Sequence, residues 1–172
     1  VPIDGGIVIG TDRMNKIIEI NVDDLYAVCQ PGITTYALQQ AVEEHGLMFA
    51  PDPASYKDSF IGGNIAENAG GMRTPKYGVT KHHVLGLEVV TATGEVIRTG
   101  GKTVKNVVGF DLTGLMCGSE GMLGIITEAT LKLLPMPEAT STVRANFHSM
   151  EAACKVLTKF TPHGLLPMAM EV

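Results

Sequence analysis

Residues 84–98 read VLGLEVVTATGEVIR, and this stretch predicts a β-hairpin with strands at residues 84–92 and 95–98. Valine, leucine and isoleucine fill both arms, as is typical of strands. The turn at Thr93-Gly94 pairs a small polar residue with glycine, which adopts a positive φ at no steric cost. Because a short hairpin joins antiparallel strands, the stretch indicates an antiparallel sheet.

Further strands are predicted on both sides of this hairpin, at residues 6–9, 17–20, 25–29 and 47–50 upstream and at residues 123–134 downstream. Three helices are predicted among them, each after a residue that caps helix N-termini. These helices run from Thr34 or Thr35 to His45, from Leu112 to Cys117 behind Asp111, and from Ser149 to Pro162. Hairpins with occasional helices favour an α+β fold with a mixed or antiparallel sheet flanked by helices.

The character of the sequence changes after Pro137. Strands at residues 142–147 and 167–172, with the Ser149 helix between them, predict a β-α-β unit. We interpret this unit as the beginning of a second domain, because it follows a proline-rich break in the chain.

The composition excludes several classes of function. The net charge is −5 for 172 residues, and no basic stripe of the kind that binds nucleic acid is present. No apolar run reaches the length of about 18 residues that suggests a membrane span. Three widely spaced cysteines favour neither a disulfide framework nor a zinc site, and they suit a cytoplasmic protein.

Two motifs that suggest chemistry are rejected. Residues 100–103, GGKT, resemble the end of a phosphate-binding P-loop, but Val96 stands where that loop needs glycine. His82 and His83 are adjacent, and on a strand they would point to opposite faces, which is unsuited to one metal ion. We therefore predict no metal site.

Glycine is unusually frequent, at 20 of 172 residues, and fourteen of the twenty lie between Gly62 and Gly124. Residues 61–71, IGGNIAENAGG, contain too much glycine for a good helix and are predicted as a loop. Two interpretations are open. The glycines form tight turns, or they let the backbone approach a ligand, with paired glycine amides converging on an anion such as a pyrophosphate.

Taken in series, four segments resemble one family. They are PDPAS (residues 51–55), IGGNIAENAGG (61–71), YGVTKHHVLGLEVV (77–90) and GFDLTGLMCGSEGMLGIITE (109–128). The series is similar to the FAD-linked oxidases of the vanillyl-alcohol oxidase type, which carry a PCMH-type FAD-binding domain. Within these, it is similar to the D-subunits of glycolate oxidases and to D-lactate dehydrogenases.

The resemblance implies FAD as cofactor, bound between two α+β lobes, and a separate cap domain for the substrate. By matching motif positions, it assigns the following residues to the cofactor site: Pro51, Asp52, Pro53, Ser55, Ile61, Gly62, Gly63, Asn64, Ala66, Asn68, Gly70, Gly71, Tyr77, Gly78, Glu120, Gly121, Gly124, Ile125 and Ile126. No catalytic residue is assigned, because the substrate-binding residues of the family belong to the cap.

The resemblance also implies a domain division. Residues 1–138 match the second lobe of the FAD-binding domain, and residues 139–172 match the start of the cap. The chain is therefore expected to be an excised piece without the first lobe, inactive and weak in FAD binding on its own. Unpaired edges at residues 7–9 and 168–172 are expected to join copies into a homo-oligomer.

The function implied is the oxidation of a D-2-hydroxy acid, of the glycolate or D-lactate type, by hydride transfer to FAD. The resemblance also implies partner oxidase subunits, and these would bring the protein to the membrane periphery. The alternative is a non-catalytic assembly subunit that keeps the fold and binds a partner chain in place of the cofactor.

Overall fold

The computed structural model describes residues 5–172 and contains a five-stranded antiparallel sheet. Its strands are β1 (Ile17–Asn21), β2 (Tyr26–Cys29), β4 (Val84–Val90), β5 (Val96–Gly100) and β6 (Ile125–Lys132), in the order β1-β2-β6-β4-β5. A separate pair joins β3 (Leu47–Met48) to β7 (Leu134–Pro135). The helices are α1 (Thr35–Glu43), α2 (Ile61–Glu67), α3 (Thr74–Tyr77), α4 (Leu112–Met116) and α5 (Met150–Phe160). The predicted α+β class with an antiparallel sheet is confirmed.

The core lies between the sheet and the helices α1 and α2. Leu38 and Val42 of α1 and Ile61 and Ile65 of α2 are fully buried. They pack with the inward residues of the three central strands, which are Ala27, Cys29, Leu87, Val89, Ala129 and Leu131. Burial of this apolar surface is the main force that holds the helices on the sheet. No helix within residues 5–172 has both the length and the apolar character needed to cross a bilayer.

The hairpin of β4 and β5 forms as predicted, with Gly94 at φ +83° in its turn. The Thr91 amide donates to the Glu95 carbonyl at 2.9 Å and closes the turn. Across the strands, Arg98 and Glu88 form a salt bridge at 2.7 Å. This bridge lowers the pKa of Glu88, as does a hydrogen bond from Thr127.

The three predicted N-caps are also present. Thr34 Oγ1 accepts from the Ala37 amide at 3.2 Å, and Ser149 Oγ accepts from the Ala152 amide at the same distance. Asp111 Oδ1 accepts from the Gly114 amide at 2.7 Å. Each cap satisfies an amide that has no partner within its helix.

Three predicted strands are wrong. Residues 6–9, 142–147 and 167–172 contain no strand, and the side chains of residues 6–9 and 142–147 are exposed. An isolated extended segment does not qualify as a strand, because its amides and carbonyls need a neighbour to complete the ladder. The β-α-β unit and the two edges expected to join copies at residues 7–9 and 168–172 are therefore not formed. The edges of the sheet are β1 and β5.

The loop predicted for residues 61–71 is also wrong over its first part, where α2 forms despite Gly62 and Gly63. Ile61 and Ile65 lie one turn apart and both enter the core, so packing outweighs the low helix propensity of glycine. The helix ends at Glu67, and its C-cap Asn68 adopts a left-handed conformation with φ +53°.

Candidate functional site

A cleft of about 310 Å³ separates α2 from the loop at residues 118–124 and the start of β6. Seven of the residues that sequence reasoning assigned to the cofactor line it: Gly62, Gly63, Ala66, Gly121, Gly124, Ile125 and Ile126. The cleft thus brings together predicted residues of two motifs, and those of the first motif lie at least 55 positions before those of the second.

Hydrogen bonds from the loop at residues 118–124 to the end of α2 join the two walls of the cleft. The amide of Gly118 donates to the Ile65 carbonyl and the amide of Glu120 to the Ala66 carbonyl, both at 2.9 Å. These carbonyls belong to the last turn of the helix, where the regular intrahelical bonds run out. The Ile65 carbonyl also accepts from the amide of the C-cap residue Asn68, at 3.1 Å. Glu120 adopts φ +53°, an uncommon conformation for a residue with a side chain. This local strain is tolerated because the loop is bonded to the helix.

The two glycines at the start of α2 differ in role. The Gly62 amide donates to the Pro31 carbonyl at 2.8 Å, and a Cβ on Gly62 would lie 2.6 Å from the Pro31 Cβ. The fold itself therefore requires Gly62, and its amide is already paired within the protein. Gly63 is exposed, and apart from its chain neighbours and the backbone of its own helix no atom lies within 4 Å of the position that its Cβ would take.

On the opposite wall, Gly121 and Gly124 both have positive φ values, +77° and +156°. A Cβ on Gly124 would lie 2.6 Å from Val89 Cγ1, so the sheet also excludes a side chain there. Nothing lies within 4 Å of the Cβ position of Gly121. At Gly63 and Gly121 the backbone is thus open to an approaching molecule.

Within residues 5–172, the residues that line the cleft are uncharged. Ile125, Ile126 and Met116 provide apolar surface, and Thr11 and Ser119 carry the two side-chain hydroxyls. Cys117 lies next to Met116 in sequence, and burial raises the pKa of its thiol to about 11, so it remains protonated at neutral pH. The cleft is therefore suited to hold an uncharged, largely apolar group and offers no side chain for acid–base chemistry.

The predicted residues of the turn at 51–55 lie outside the cleft. Asp52 forms a salt bridge with Arg73 at 3.2 Å, and a Cβ on Gly71 would overlap the Asp52 carbonyl. Pro51 and Pro53 are buried, and the Ser55 carbonyl accepts from the amide of Ser59 at 2.8 Å. The turn thus supports the loop that contains Gly71.

Ile61 and Asn64 face the core instead of the cleft. Ile61 is buried, and Asn64 Nδ2 donates to Thr35 Oγ1 at 2.6 Å. Thr35 Oγ1 in turn lies 2.8 Å from Ser59 Oγ. This network joins α1, α2 and the segment between them, which explains a buried polar side chain at Asn64.

The remaining predicted residues lie beyond the end of α2. Asn68 Oδ1 accepts from the Lys81 amide at 2.9 Å, and Gly70, Tyr77 and Gly78 belong to the following loop. The Glu120 side chain is exposed and does not line the cleft.

A second cavity, of about 220 Å³, lies beside residues 103–111, and none of the predicted residues lines it.

Five lining residues were missed by the sequence reasoning: Ile9, Thr11, Pro31, Met116 and Ser119. Ser119 lies inside the glycine-rich motif, so the motif itself marks its neighbourhood. Pro31 reaches the cleft only because it packs against Gly62, a contact between distant segments that no local pattern indicates.

Comparison with known proteins identifies the family. Residues 1–100 match the family described as FAD binding domain. The chain is 49% identical over 170 residues to glycolate oxidase subunit GlcD of Bacillus subtilis (strain 168). This alignment covers 99% of this chain and 36% of that protein. It is 40% identical over 171 residues to a D-lactate dehydrogenase of Anaerostipes hadrus, with 99% and 36% coverage. The chain spans about a third of the length of these relatives.

The fold has a counterpart among solved structures. It superposes on an alkyldihydroxyacetonephosphate synthase with a TM-score of 0.78 and 27% identity, over 92% of this chain and 28% of that one. FAD, the cofactor expected from the sequence, is the cofactor of the matched family. The chain belongs to the FAD binding domain family.

Proposed function

We propose that the chain forms one wall of the FAD site in an oxidoreductase that oxidises a D-2-hydroxy acid of the glycolate or D-lactate type. Two observations support the proposal. The family binds FAD, and relatives that align over 99% of the chain are named glycolate oxidase subunit and D-lactate dehydrogenase. The cleft between α2 and the loop at residues 118–124 is the candidate contact surface for the cofactor.

The assignment of this cleft to the cofactor rests on one observation, which is the open Cβ position of Gly63 at the cleft. Glycine inside a helix costs about 1 kcal/mol relative to alanine, because the unfolded chain loses more freedom. At Gly63 the fold itself does not justify this cost, since a Cβ would meet no atom within 4 Å. A molecule bound against the α2 backbone would explain why glycine, and no larger residue, occupies position 63.

The chain's contribution is binding and orientation, whereas bound FAD supplies the hydride-accepting chemistry. Ile125 and Ile126 offer an apolar face for a flat ring, and Gly63 and Gly121 let it approach the backbone. Among the residues that the structure describes, no charged side chain lines the cleft, and the Gly62 amide is paired with the Pro31 carbonyl. We therefore assign the cleft to an uncharged part of the cofactor in preference to its diphosphate.

We propose a domain boundary near residue 138, with the FAD-binding unit before it and the start of a cap after it. The segment of residues 137–149 supports this boundary, because it contains no helix or strand and is exposed throughout. Partner oxidase subunits, assembly of copies and a cytoplasmic location remain predictions.

The activity is tested on the intact protein, purified without added flavin. We expect bound FAD whose visible absorption band is bleached under anaerobic conditions by D-lactate or glycolate, because reduction changes the flavin spectrum. L-lactate is the matched control and should bleach the flavin far more slowly. Bound flavin that no D-2-hydroxy acid bleaches would refute the substrate class, and a protein unable to bind flavin would favour the assembly-subunit alternative.

A further inference from the structure

Residues 68–87 are a basic segment of an acidic chain. They contain Arg73, Lys76, Lys81 and two histidines but no aspartate or glutamate, whereas the net charge of the whole chain is −5. Within residues 5–172, neither Lys76 nor Lys81 forms an ion pair with a carboxylate. Positive charge therefore collects on this segment, and it attracts anions.

Arg73 differs from the other three arginines of the chain in its burial. Its side chain is only 29% exposed, whereas Arg13, Arg98 and Arg144 are exposed residues. An exposed guanidinium is solvated by water and needs no protein partner. A largely covered one needs acceptors close by, because its N–H groups have lost part of their water.

Asp52 provides one such acceptor. Its Oδ2 lies 3.2 Å from Arg73 Nε, and within residues 5–172 no other carboxylate lies within 4 Å of this guanidinium. A guanidinium carries five N–H groups in a planar fork, and four of them belong to its two terminal nitrogens. These terminal nitrogens can therefore bind a second anion.

The residues around this ion pair are held in place. Pro51 and Pro53 flank Asp52 and are buried, and the turn packs so closely on Gly71 that a Cβ there would overlap the Asp52 carbonyl. The Gly71 amide also donates to Thr74 Oγ1 at 2.9 Å. The backbone on both sides of the arginine is thus fixed, which reduces the conformational freedom that anion binding would remove.

The loop that carries Arg73 also contains Gly70, Gly71, Tyr77 and Gly78, which the resemblance assigns to the cofactor site. FAD carries a diphosphate, and a 2-hydroxy acid carries a carboxylate. The cleft beside α2 provides no charged side chain among its described residues for either group. Arg73 is therefore the candidate in this chain for contact with a negative group.

We propose that Arg73 binds an oxyanion through its terminal nitrogens, while Asp52 holds its Nε. The oxyanion is a carboxylate or a phosphate, because both present two oxygens to the planar fork of a guanidinium. The carboxylate of the 2-hydroxy acid is one source, and this source rests on the proposed function. It would add a substrate contact to those expected from the cap. The diphosphate of FAD is the other source.

Anion titration of the isotope-labelled chain, followed by NMR, tests the proposal without any activity. The probes are oxalate and inorganic pyrophosphate, and chloride at equal ionic strength is the control. We expect at least one probe, at about millimolar concentration, to shift the Nε–Hε signal of Arg73 and the amides of residues 72–74. The signal of the exposed Arg144 should move no more than in chloride. Equal shifts at both arginines, or none at Arg73, would overturn the proposal.

The variant R73Q of the intact protein distinguishes the two sources. If the substrate carboxylate is the ligand, R73Q raises the KM for D-lactate about tenfold or more, while kcat and FAD affinity change little. If the diphosphate is the ligand, R73Q weakens FAD affinity by about the same factor and leaves the KM of the FAD-saturated enzyme unchanged. The control R144Q should equal the wild type. R73Q with native KM and native FAD affinity would refute the proposal.

The variant D52N separates anion binding from a purely structural ion pair. It breaks the pair as R73Q does, but it keeps the cation, so we expect a loss of less than about threefold, as for a partly exposed pair. R73K keeps the charge without the fork and should retain part of the affinity. Equal losses in D52N and R73Q would contradict anion binding. If no D-2-hydroxy acid bleaches the wild-type flavin, the proposed function fails, and the NMR titration still decides whether Arg73 binds an anion.

Discussion

Replacing Gly63 with valine is expected to weaken FAD binding by the intact protein roughly a hundredfold, while the fold is retained. The valine side chain would occupy the open space at the cleft, and an overpacked contact costs about 1–3 kcal/mol. The upper value corresponds to a loss of affinity of roughly a hundredfold. Folding should not suffer, because no protein atom lies within 4 Å of the new Cβ and valine exceeds glycine in helix propensity. Flavin titration and thermal unfolding measure the two effects.

Gly101→Val is the matched control for this prediction. Gly101 also has no atom within 4 Å of its Cβ position, but it does not line the cleft. We expect its FAD affinity to equal that of the wild type. Native affinity in Gly63→Val, or an equal loss in both variants, would remove Gly63 from the cofactor site.

Replacing Gly71 with alanine is expected to destabilise the fold by about 3 kcal/mol, the upper end of the usual cost of overpacking. The new Cβ would overlap the carbonyl of Asp52 and lie 2.9 Å from the Pro53 nitrogen. These are backbone atoms of a rigid turn, so they cannot rotate away as a side chain would. Urea unfolding of the chain gives the change in free energy.

Gly63→Ala serves as the control for Gly71→Ala, since the same methyl group is added at an open helical position. We expect it to leave stability unchanged or to raise it slightly. A loss of less than about 1 kcal/mol in Gly71→Ala, within the ordinary range of mild substitutions, would mean that the turn at Asp52 adjusts freely. The contrast between the two positions distinguishes glycines required by the fold from a glycine left open.

Elements defined by local chemistry could be predicted from the sequence. The turn at Gly94 and the caps at Thr34, Asp111 and Ser149 involve residues a few positions apart, and all formed as expected. Strand formation over residues 6–9 and 167–172 was predicted from apolar content alone. A strand also needs a neighbour for its ladder, and that requirement is not visible in a short apolar run.

In the candidate site, too, local sequence patterns could be predicted and long-range packing could not. The two glycine motifs were recognisable, but α2 was not, since its stability comes from burying Ile61 and Ile65 against the sheet. The role of Asn64 likewise depends on Thr35, which is distant in sequence. Motif matching thus selected segments that border one cleft, and only the packed structure separates residues that line the cleft from residues that support it.

NMR chemical-shift mapping of FAD on the isotope-labelled chain tests the central claim most directly. The account predicts that FAD at about millimolar concentration, suitable for detecting weak binding, shifts the amides of Gly63, Ala66, Gly121 and Ile125 at the cleft. Amides of the second cavity, such as Asn106 and Gly109, should remain unchanged. Shifts confined to the second cavity, or none at the cleft, would contradict the assignment of the cleft to the cofactor.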